Sequence, residues 1–440
     1  MSVLERVRRA EGSRQVARRG SAAAREARSA LKRRLVERLG LDTIAGMLDG
    51  SDSCDAREEL GVALESIVNA QDGPALGVEG RRELVGQVVD EVCGLGPIQA
   101  LLEDEGVSEV MVNGCEAIFY ERDGEMCEAQ VGFDSPEQIM IVIDRILAPL
   151  GRRLDRSSPL VSARLPNGDR VNAVAAPTAI DGPVMTIRKF SERVRTLGTL
   201  VGLGSLPAWY ARLLAWAVRC RRSVAVAGGT GSGKTTLLNA LSCSIPSGER
   251  IVTIEDSAEL RFDSHPNVVR LEARDASIEG VGEVTIRELV KNALRMRPDR
   301  IVVGEVRGEE CVDMLQAMST GHDGSLTTLH AGSAQEAVLR LVLMARFGMD
   351  LPSELIEEQI ATAIDLFVVM RRLPDGSRRV TTLTEVSRAE GGGVALRECV
   401  SFDEASGDWS LACEPAFVAR GLELGLLDER EVGAWRSCLS

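Results

Sequence analysis

Aromatic residues make up only 3% of this 440-residue chain, and its formal net charge is −14. A chain so poor in rings and so acidic is badly equipped to stack bases or grip a phosphodiester backbone, so no direct nucleic-acid partner is expected. No two of the ten cysteines form a C-x-x-C pair. That argues against a zinc site or a disulfide framework and fits thiols kept reduced in a cytosol. No apolar run approaches the roughly 20 residues needed to cross a bilayer, and the first residues lack the apolar core of a signal peptide. The expected location is therefore cytoplasmic. Histidine is scarce as well: there are three, and two of them, His322 and His330, share one short segment.

What is present centres on Ser223 to Leu238. A short apolar run containing Val224 and Val226 reads as a buried strand. It passes into Gly228-Gly229-Thr230-Gly231-Ser232-Gly233-Lys234-Thr235-Thr236, and a helical pattern follows. Strand, G-x-x-x-x-G-K-[ST] loop and helix together make a phosphate-binding P-loop. Glycines let the backbone curl so that successive N–H groups face one anion, and the helix that follows adds the positive end of its dipole. Lys234 is placed to reach the β- and γ-phosphates of ATP, and the Thr235 hydroxyl to hold Mg²⁺.

At this length two or three domains are expected. Residues 1–79 form a basic arm and a helical segment. The first forty carry twelve Lys/Arg against four Glu, which suits a basic arm that lies on anionic lipid or docks a partner, or else a solvated, partly disordered tail. Residues 40–55 and 71–79 read as linker or loop, with a helix between them at about 56–68. Residues 80–190 read as a smaller α+β domain. It has strands at 107–112, 117–121, 126–133, 161–165, 170–175 and 184–189, and a helix at 136–147. A linker is expected over 191–205. Residues 206–390 alternate strand and helix, which implies a mostly parallel sheet with the ligand at the carboxyl ends of its strands. Within it a helix is expected at 285–296, and strands at 366–371 and 379–384 flank the turn Pro374-Asp375-Gly376. Residues 391–440 are weakly patterned and read as a tail.

Binding a nucleotide needs only the loop; hydrolysis needs more. The strand Ile301-Val302-Val303 runs into Gly304-Glu305. A carboxylate there, beside the loop strand, would orient the attacking water next to the metal. A second strand, Thr253-Ile254, closes in Glu255, Asp256 and Glu259. These acids could reach the metal directly or through water, or could simply satisfy a helix start. The segment Gly321 to His330 ends in Thr327, Thr328 and His330, near the same acids. His330 could report the γ-phosphate to neighbouring structure, and His322 could do so at the loop; a core or capping histidine is the alternative for both.

These four segments, in this order and spacing, resemble the secretion ATPase superfamily of type II and type IV secretion and type IV pili. Gly228 to Thr235 matches Walker A, Glu255 to Glu259 the "Asp box", Gly304-Glu305-Val306-Arg307-Gly308 Walker B and Gly321 to His330 the "His box". The chain is most similar to the Tad pilus ATPases of the CpaF type. Gly151-Arg152-Arg153-Leu154-Asp155, Arg164 to Asn172 and Thr186-Ile187-Arg188-Lys189-Phe190 carry that likeness. The tetracysteine element of many type II secretion and pilus-extension members is missing. The resemblance implies a RecA-like motor domain behind the smaller domain. It also implies a homohexameric ring, ATP with Mg²⁺, and an inner-membrane pilus platform protein as partner. It casts Lys234, Glu255, Glu305 and His330 as catalytic, and Thr235, Glu305 and Glu259 as metal-binding. Arg170 and Arg188, then Arg164, are cast as the arginines that offset transition-state charge, with Arg295, Arg297 and Arg307 as further candidates. A VirB11-type ATPase of conjugation or protein export shares all four boxes and is the alternative; a nucleic-acid translocase fits less well.

Overall fold

Two units meet at Ser191/Glu192. The computed structural model describes residues 26–50, 53–69, 77–115, 117–122, 124–190, 196–262, 265–274 and 281–438. Residues 1–25, most of the basic arm, lie outside that set.

The first unit begins with a one-sided helix, α1 (26–39). Leu31 and Leu35, four apart, are buried, while Arg33, Arg34 and Arg38 are exposed, the pattern of an apolar stripe on a polar cylinder. The stripe packs on Ile44 of α2 (Leu41–Gly50), Leu60 and Leu64 of α3 (Ser53–Val68) and Leu84 and Val88 of α4 (Val78–Cys93). Residues 40–55, expected as linker, are therefore mostly helical: Ile44 and Met47 supply a helically spaced apolar pair with a core to bury it. The shared core runs across the boundary expected at 79/80. Part of the arm's charge is also spent internally. Arg28 pairs with Glu91 and with Asp134, each at 2.9 Å, and Lys32 pairs with Glu91.

Next come α5 (Gln99–Glu103), β1 (Val107–Asn113), β2 (Ala117–Arg122), β3 (Glu125–Glu128), α6 (Pro136–Leu147), β4 (Leu160–Arg164), β5 (Arg170–Val174) and β6 (Val184–Arg188). Among the described residues the strands form one antiparallel sheet, ordered β3-β2-β1-β6-β5-β4. Val110, Val112, Ile118 and Ile187 pack on Ile139, Ile143 and Leu147 of α6. Ser135 caps α6 by accepting from the Gln138 N–H, with Pro136 in the first turn. The strand expected over 126–133 is shorter: β3 ends at Glu128, opposite Phe119, with one further backbone bond from the Ala129 N–H to the Ile118 carbonyl at 2.8 Å.

The second unit opens with α7 (Leu197–Gly202), inside the expected linker, and α8 (Ala208–Arg219). Then follow β7 (Val224–Gly228), α9 (Lys234–Ser242), β8 (Ile251–Glu255), β9 (Val268–Glu272), α10 (Ile286–Ala293), β10 (Arg300–Val306), α11 (Glu310–Ser319) and β11 (Leu326–Leu329). The chain continues through α12 (Ala334–Gly348), α13 (Ser353–Ala363), β12 (Leu366–Arg372), β13 (Arg378–Arg388), β14 (Val394–Asp403), β15 (Asp408–Leu411), α14 (Ala416–Glu423) and α15 (Glu429–Ser437). The sheet order is β15-β14-β13-β12-β7-β11-β10-β8-β9. From β12 to β9 every pairing is parallel; β12 through β15 extend it as an antiparallel meander. Every residue of β7, β8 and β11 is buried, as a parallel sheet covered on both faces requires. The unit is a RecA-like α/β P-loop core, and hydrophobic clusters lie on its two sides. No helix among the described residues is long and apolar enough to cross a membrane.

The end of this unit does not fall at 390. β14 and β15 belong to the same sheet, and α14 and α15 fold back onto α8. Trp435 meets Trp216 edge-on with ring centroids 5.4 Å apart, and its indole N–H donates to the Trp209 carbonyl at 2.8 Å. The tail escaped a sequence reading because β14 lacks a two-residue apolar alternation and the edge strand β15 is only four residues long. Helix α10 is also shorter than expected. A Thr285/Glu288 capping box fixes its start, and the backbone has turned left-handed by Arg297 (φ 56°). Deleting a fully buried indole typically costs about 3–5 kcal/mol. Trp435→Ala should therefore lower the stability of the second unit by about that much, read as an earlier transition in calorimetry of the full chain; an unchanged trace would show that α15 is dispensable.

Candidate active site

Strand register brings the candidate residues to one edge. β7 and β11 pair Ala227 with Leu329, so Gly228 and His330 come next, side by side. β10 and β8 pair Val303 with Ile254, which sets Gly304 beside Glu255. β10 and β11 pair Val306 with Leu329 after a register shift. The carboxyl ends of β7, β11, β10 and β8 thus carry the glycine loop, His330, Glu305 and Glu255, the edge where open α/β sheets place their ligands.

The loop itself is built for close approach. Gly231 and Gly233 have φ of 69° and 99°, which side-chain-bearing residues rarely adopt. A Cβ at Gly228 would lie 2.5 Å from Ser232 Oγ and 2.6 Å from the Met370 carbonyl oxygen, so no side chain fits there. The Gly229 carbonyl accepts from Ser232 Oγ at 2.8 Å and from Lys234 Nζ at 3.3 Å, and the Gly231 carbonyl accepts from Arg378 Nε at 2.9 Å. Gly229, Thr230 and Gly231 are exposed, and half-buried Thr235 and Thr236 sit in the first turn of α9. A glycine cradle, an ammonium and adjacent hydroxyls suit a polyphosphate and the hard cation it carries.

Three charged groups and an imidazole cluster at the cradle. Lys234 Nζ lies 3.6 Å from Glu305 Oε1 and 3.3 Å from His330 Nε2, and His330 Nε2 lies 3.0 Å from Glu305 Oε1. Arg307 Nε donates to Glu305 Oε2 at 2.7 Å, and its Nη1 reaches Asp256 at 3.3 Å. Burial pushes the Lys234 ammonium below its usual range, with Glu305 opposing. Burial, then the charge of Lys234, holds the His330 imidazole low. The turn after β10 is pinned by Glu310, whose Oε1 accepts from the N–H groups of Arg307 (2.7 Å) and Gly308 (2.9 Å). Thr328 Oγ1 donates to the Gly304 carbonyl at 2.7 Å.

Glu255 sits differently. It is buried; its Oε1 accepts from the N–H groups of Glu259 (2.8 Å) and Leu260 (2.9 Å), and its Oε2 is buried without a hydrogen-bond partner. Burial pushes its carboxyl up to about 7, against those two hydrogen bonds. A Cβ at Gly304 would come within 2.9 Å of Glu255 Cγ, so the neighbouring strand must be bare at that position.

The other candidates fall elsewhere. Glu259 donates through its backbone N–H to Glu255 Oε1 at 2.8 Å, and its negative charge adds to what raises the Glu255 carboxyl. His322 Nδ1 lies 3.1 Å from the Ala317 carbonyl at the end of α11, so it closes a helix at the amino end of β11. Arg295 and Arg297 precede β10, and at roughly 3.3 Å per strand residue they occupy the opposite sheet edge from Glu305. In the first unit Arg164, Arg170 and Arg188 are successive neighbours across β4, β5 and β6. Arg188 is exposed, Arg170 half-buried, and the Arg164 guanidinium lies 5.6 Å from the Phe190 ring centre. Sequence reasoning missed Asn239. Its amide accepts from the Arg261 N–H at 2.8 Å and donates to the Glu259 carbonyl at 3.3 Å, tying α9 to the acidic loop. The available signal was a polar residue one helical turn after Thr235.

A family model described as "Type II/IV secretion system protein" matches residues 91–400. A putative conjugal transfer protein of Mycobacterium tuberculosis is 37% identical over 307 residues, which is 68% of this chain and 87% of that protein. The conjugal transfer protein TrbB of Rhizobium radiobacter is 33% identical over 313 residues, 70% of this chain and 90% of its own. The crystal structure of the Brucella suis VirB11 ATPase in complex with sulphate aligns at 31% identity over 66% of this chain and 95% of that one, with a TM-score of 0.36.

Because the Glu255 carboxyl is raised from 4.5 to about 7, the native state binds a proton there more tightly than the unfolded chain does. The penalty for ionising it grows as pH rises from about 4.5 to 7 and is constant above, of order 3 kcal/mol at most. Glu255→Gln should therefore melt above wild type at pH 8, and the gap should close toward pH 5; equal melting points across that range would contradict the assignment.

Proposed function

The chain belongs to the type II/IV secretion system protein family, and on that footing we propose that it hydrolyses ATP to drive a secretion or pilus machine at the cytoplasmic membrane. The observation that carries this reading is the meeting of Lys234, Glu305 and His330 within 3.6 Å of one another at the glycine loop. A phosphate loop with a strand-end carboxylate beside its lysine is the minimum that phosphoryl transfer to water requires.

Roles follow from the geometry. The loop backbone and Lys234 hold the phosphates, and Thr235 with Glu305 would hold Mg²⁺, Glu259 taking part through water. Held there, the cation would supply charge neutralisation for the phosphoryl group. Glu305 is flanked by two cationic side chains, Lys234 and Arg307, and by the imidazole of His330, and so suits organising charge. Glu255, raised to about 7 with one oxygen unpartnered, is the better match to a base that takes a proton from the attacking water. His330 joins the lysine to β11 and so to the rest of the sheet. Arg170 and Arg188 are assigned the offsetting of transition-state charge on the strength of the motif resemblance.

Within the family, the reading is a Tad-pilus motor of the CpaF type, working as a homohexamer against an inner-membrane platform protein. The stretches 151–155, 164–172 and 186–190 support it. The exposed Arg33, Arg34 and Arg38 support peripheral contact with an anionic membrane surface. The second reading, a VirB11-like motor of conjugation or protein export, is favoured by relatives whose names place them in conjugal transfer. Gene neighbours encoding pilins, or transfer proteins, would separate the two.

Purified full-length protein should show Mg²⁺-dependent ATP hydrolysis, and Lys234→Ala should lower turnover on the order of 100-fold or more. Turnover should rise with pH through about 7 as Glu255 ionises, and Glu255→Gln should remove both that rise and most of the rate. No Mg²⁺-dependent activity, or Lys234→Ala equal to wild type, would end this reading.

A further inference from the structure

The hairpin formed by β12 and β13 lies against the phosphate loop, and its arginines divide into two kinds. Arg371 pairs across the strands with Arg379, and Arg372 with Arg378. The first pair is committed elsewhere: Arg371 to Glu404, and Arg379 Nη1 to the Gly204 carbonyl at 2.7 Å. The second pair faces the loop. Arg378 Nε donates to the Gly231 carbonyl at 2.9 Å, and a Cβ at Gly233 would lie 3.5 Å from Arg378 Cδ. A Cβ at Gly231 would lie 3.8 Å from Arg372 Nη1. Strand alternation explains the division, since successive side chains of a strand point to opposite faces.

Two guanidinium groups set opposite each other on neighbouring strands repel, and here they do so beside a loop whose chemistry is anion binding. A loop that offers N–H groups to phosphate must also dispose of its carbonyl oxygens, because a carbonyl dipole turned to a phosphate repels it. The Gly229 carbonyl is satisfied inside the loop by Ser232 and Lys234, whereas the Gly231 carbonyl is held from outside by Arg378. We propose that Arg378, with Arg372 beside it, is a positioning residue of the phosphate loop: it holds the Gly231 carbonyl outward and adds positive charge at the loop's crest, so that the pair sets affinity for the nucleoside triphosphate rather than the rate of its hydrolysis. This rests on the ATPase reading above.

The two contributions separate by substitution. Arg378→Ala removes hydrogen bond and charge, Arg378→Gln keeps a donor without charge, and Arg372→Ala removes charge alone. Binding of a fluorescent ATP analogue with Mg²⁺ to the full-length chain is the direct readout, with turnover at saturating ATP beside it. Arg378→Ala should weaken binding about tenfold, the scale of a lost charge-assisted hydrogen bond, and leave saturated turnover within about twofold. Arg378→Gln should recover a large part of the loss, and Arg372→Ala should weaken binding about threefold in low salt and less in high salt. Melting curves of all three should overlay wild type, since both side chains are exposed. Binding by Arg378→Ala equal to wild type, while Lys234→Ala abolishes it, would overturn this inference and leave the ATPase reading standing. A fall in saturated turnover with unchanged affinity would also overturn it, by giving the arginine a role in the chemical step. A wild-type chain that does not bind the analogue would remove the reading beneath it.

Discussion

Parallel registration of β7, β11, β10 and β8 is the constraint on which the rest of the molecule depends. Slipping any of these strands by one residue would turn its side chains to the other face and disperse the loop, His330, Glu305 and Glu255. Two crowded positions hold the register to its present value. Gly228 is pressed between Ser232 and the Met370 backbone, and Gly304 gives way to the Glu255 side chain. At both places a neighbouring strand occupies the space that a Cβ would need, so glycine there is a packing requirement before it is a catalytic one.

The same edge concentrates charge that would be costly if left unpaired. Lys234 is buried, and an isolated buried ammonium is expensive; Glu305 and His330 meet it, and Arg307 completes the compensation of Glu305. A polyphosphate entering the loop competes with Glu305 for that ammonium. When Lys234 turns to phosphate, Glu305 retains His330 and Arg307, and Arg307 in turn reaches Asp256 on the loop after β8. Lys234, Glu305, His330, Arg307 and Asp256 thus form an unbroken chain of direct contacts from the loop to the end of β11 and to the acidic segment after β8.

Much of this edge was legible in the sequence because its signals are local. A glycine-rich turn between strand and helix, and apolar runs ending in acids or in histidine, can each be recognised in a window of ten residues, and parallel packing does the rest. What was not legible depends on tertiary neighbours. His322 and His330 look alike in sequence, yet one closes α11 and the other meets the lysine, because they stand at opposite ends of β11. Arg295 and Arg297 lie close to Glu305 in sequence, but β10 separates them. The helices at 41–50 and 53–68 show their apolar faces only against α1 and α4. β14 carries no two-residue alternation although it is paired on both sides, and β15, at the sheet edge, is only four residues long.

That edge bears on the site more directly than its position at the end of the chain suggests. β12 is hydrogen-bonded to β7 through Met370↔Gly228, the last pair before the glycine loop begins. β13, β14 and β15 hang on β12 as an antiparallel meander, and Trp409 of β15 reaches back to donate to the Val380 carbonyl at 2.6 Å. α15 anchors the meander's far end to α8 through Trp435 and Trp209. Parallel strands β11, β10 and β8 fix one side of the loop, and the meander fixes the other. The loop's geometry is thus bounded by residues from Ser223 to Trp435, and a displacement of the carboxyl-terminal strands would be transmitted to Gly228 through backbone hydrogen bonds, with no side chain needed as intermediary.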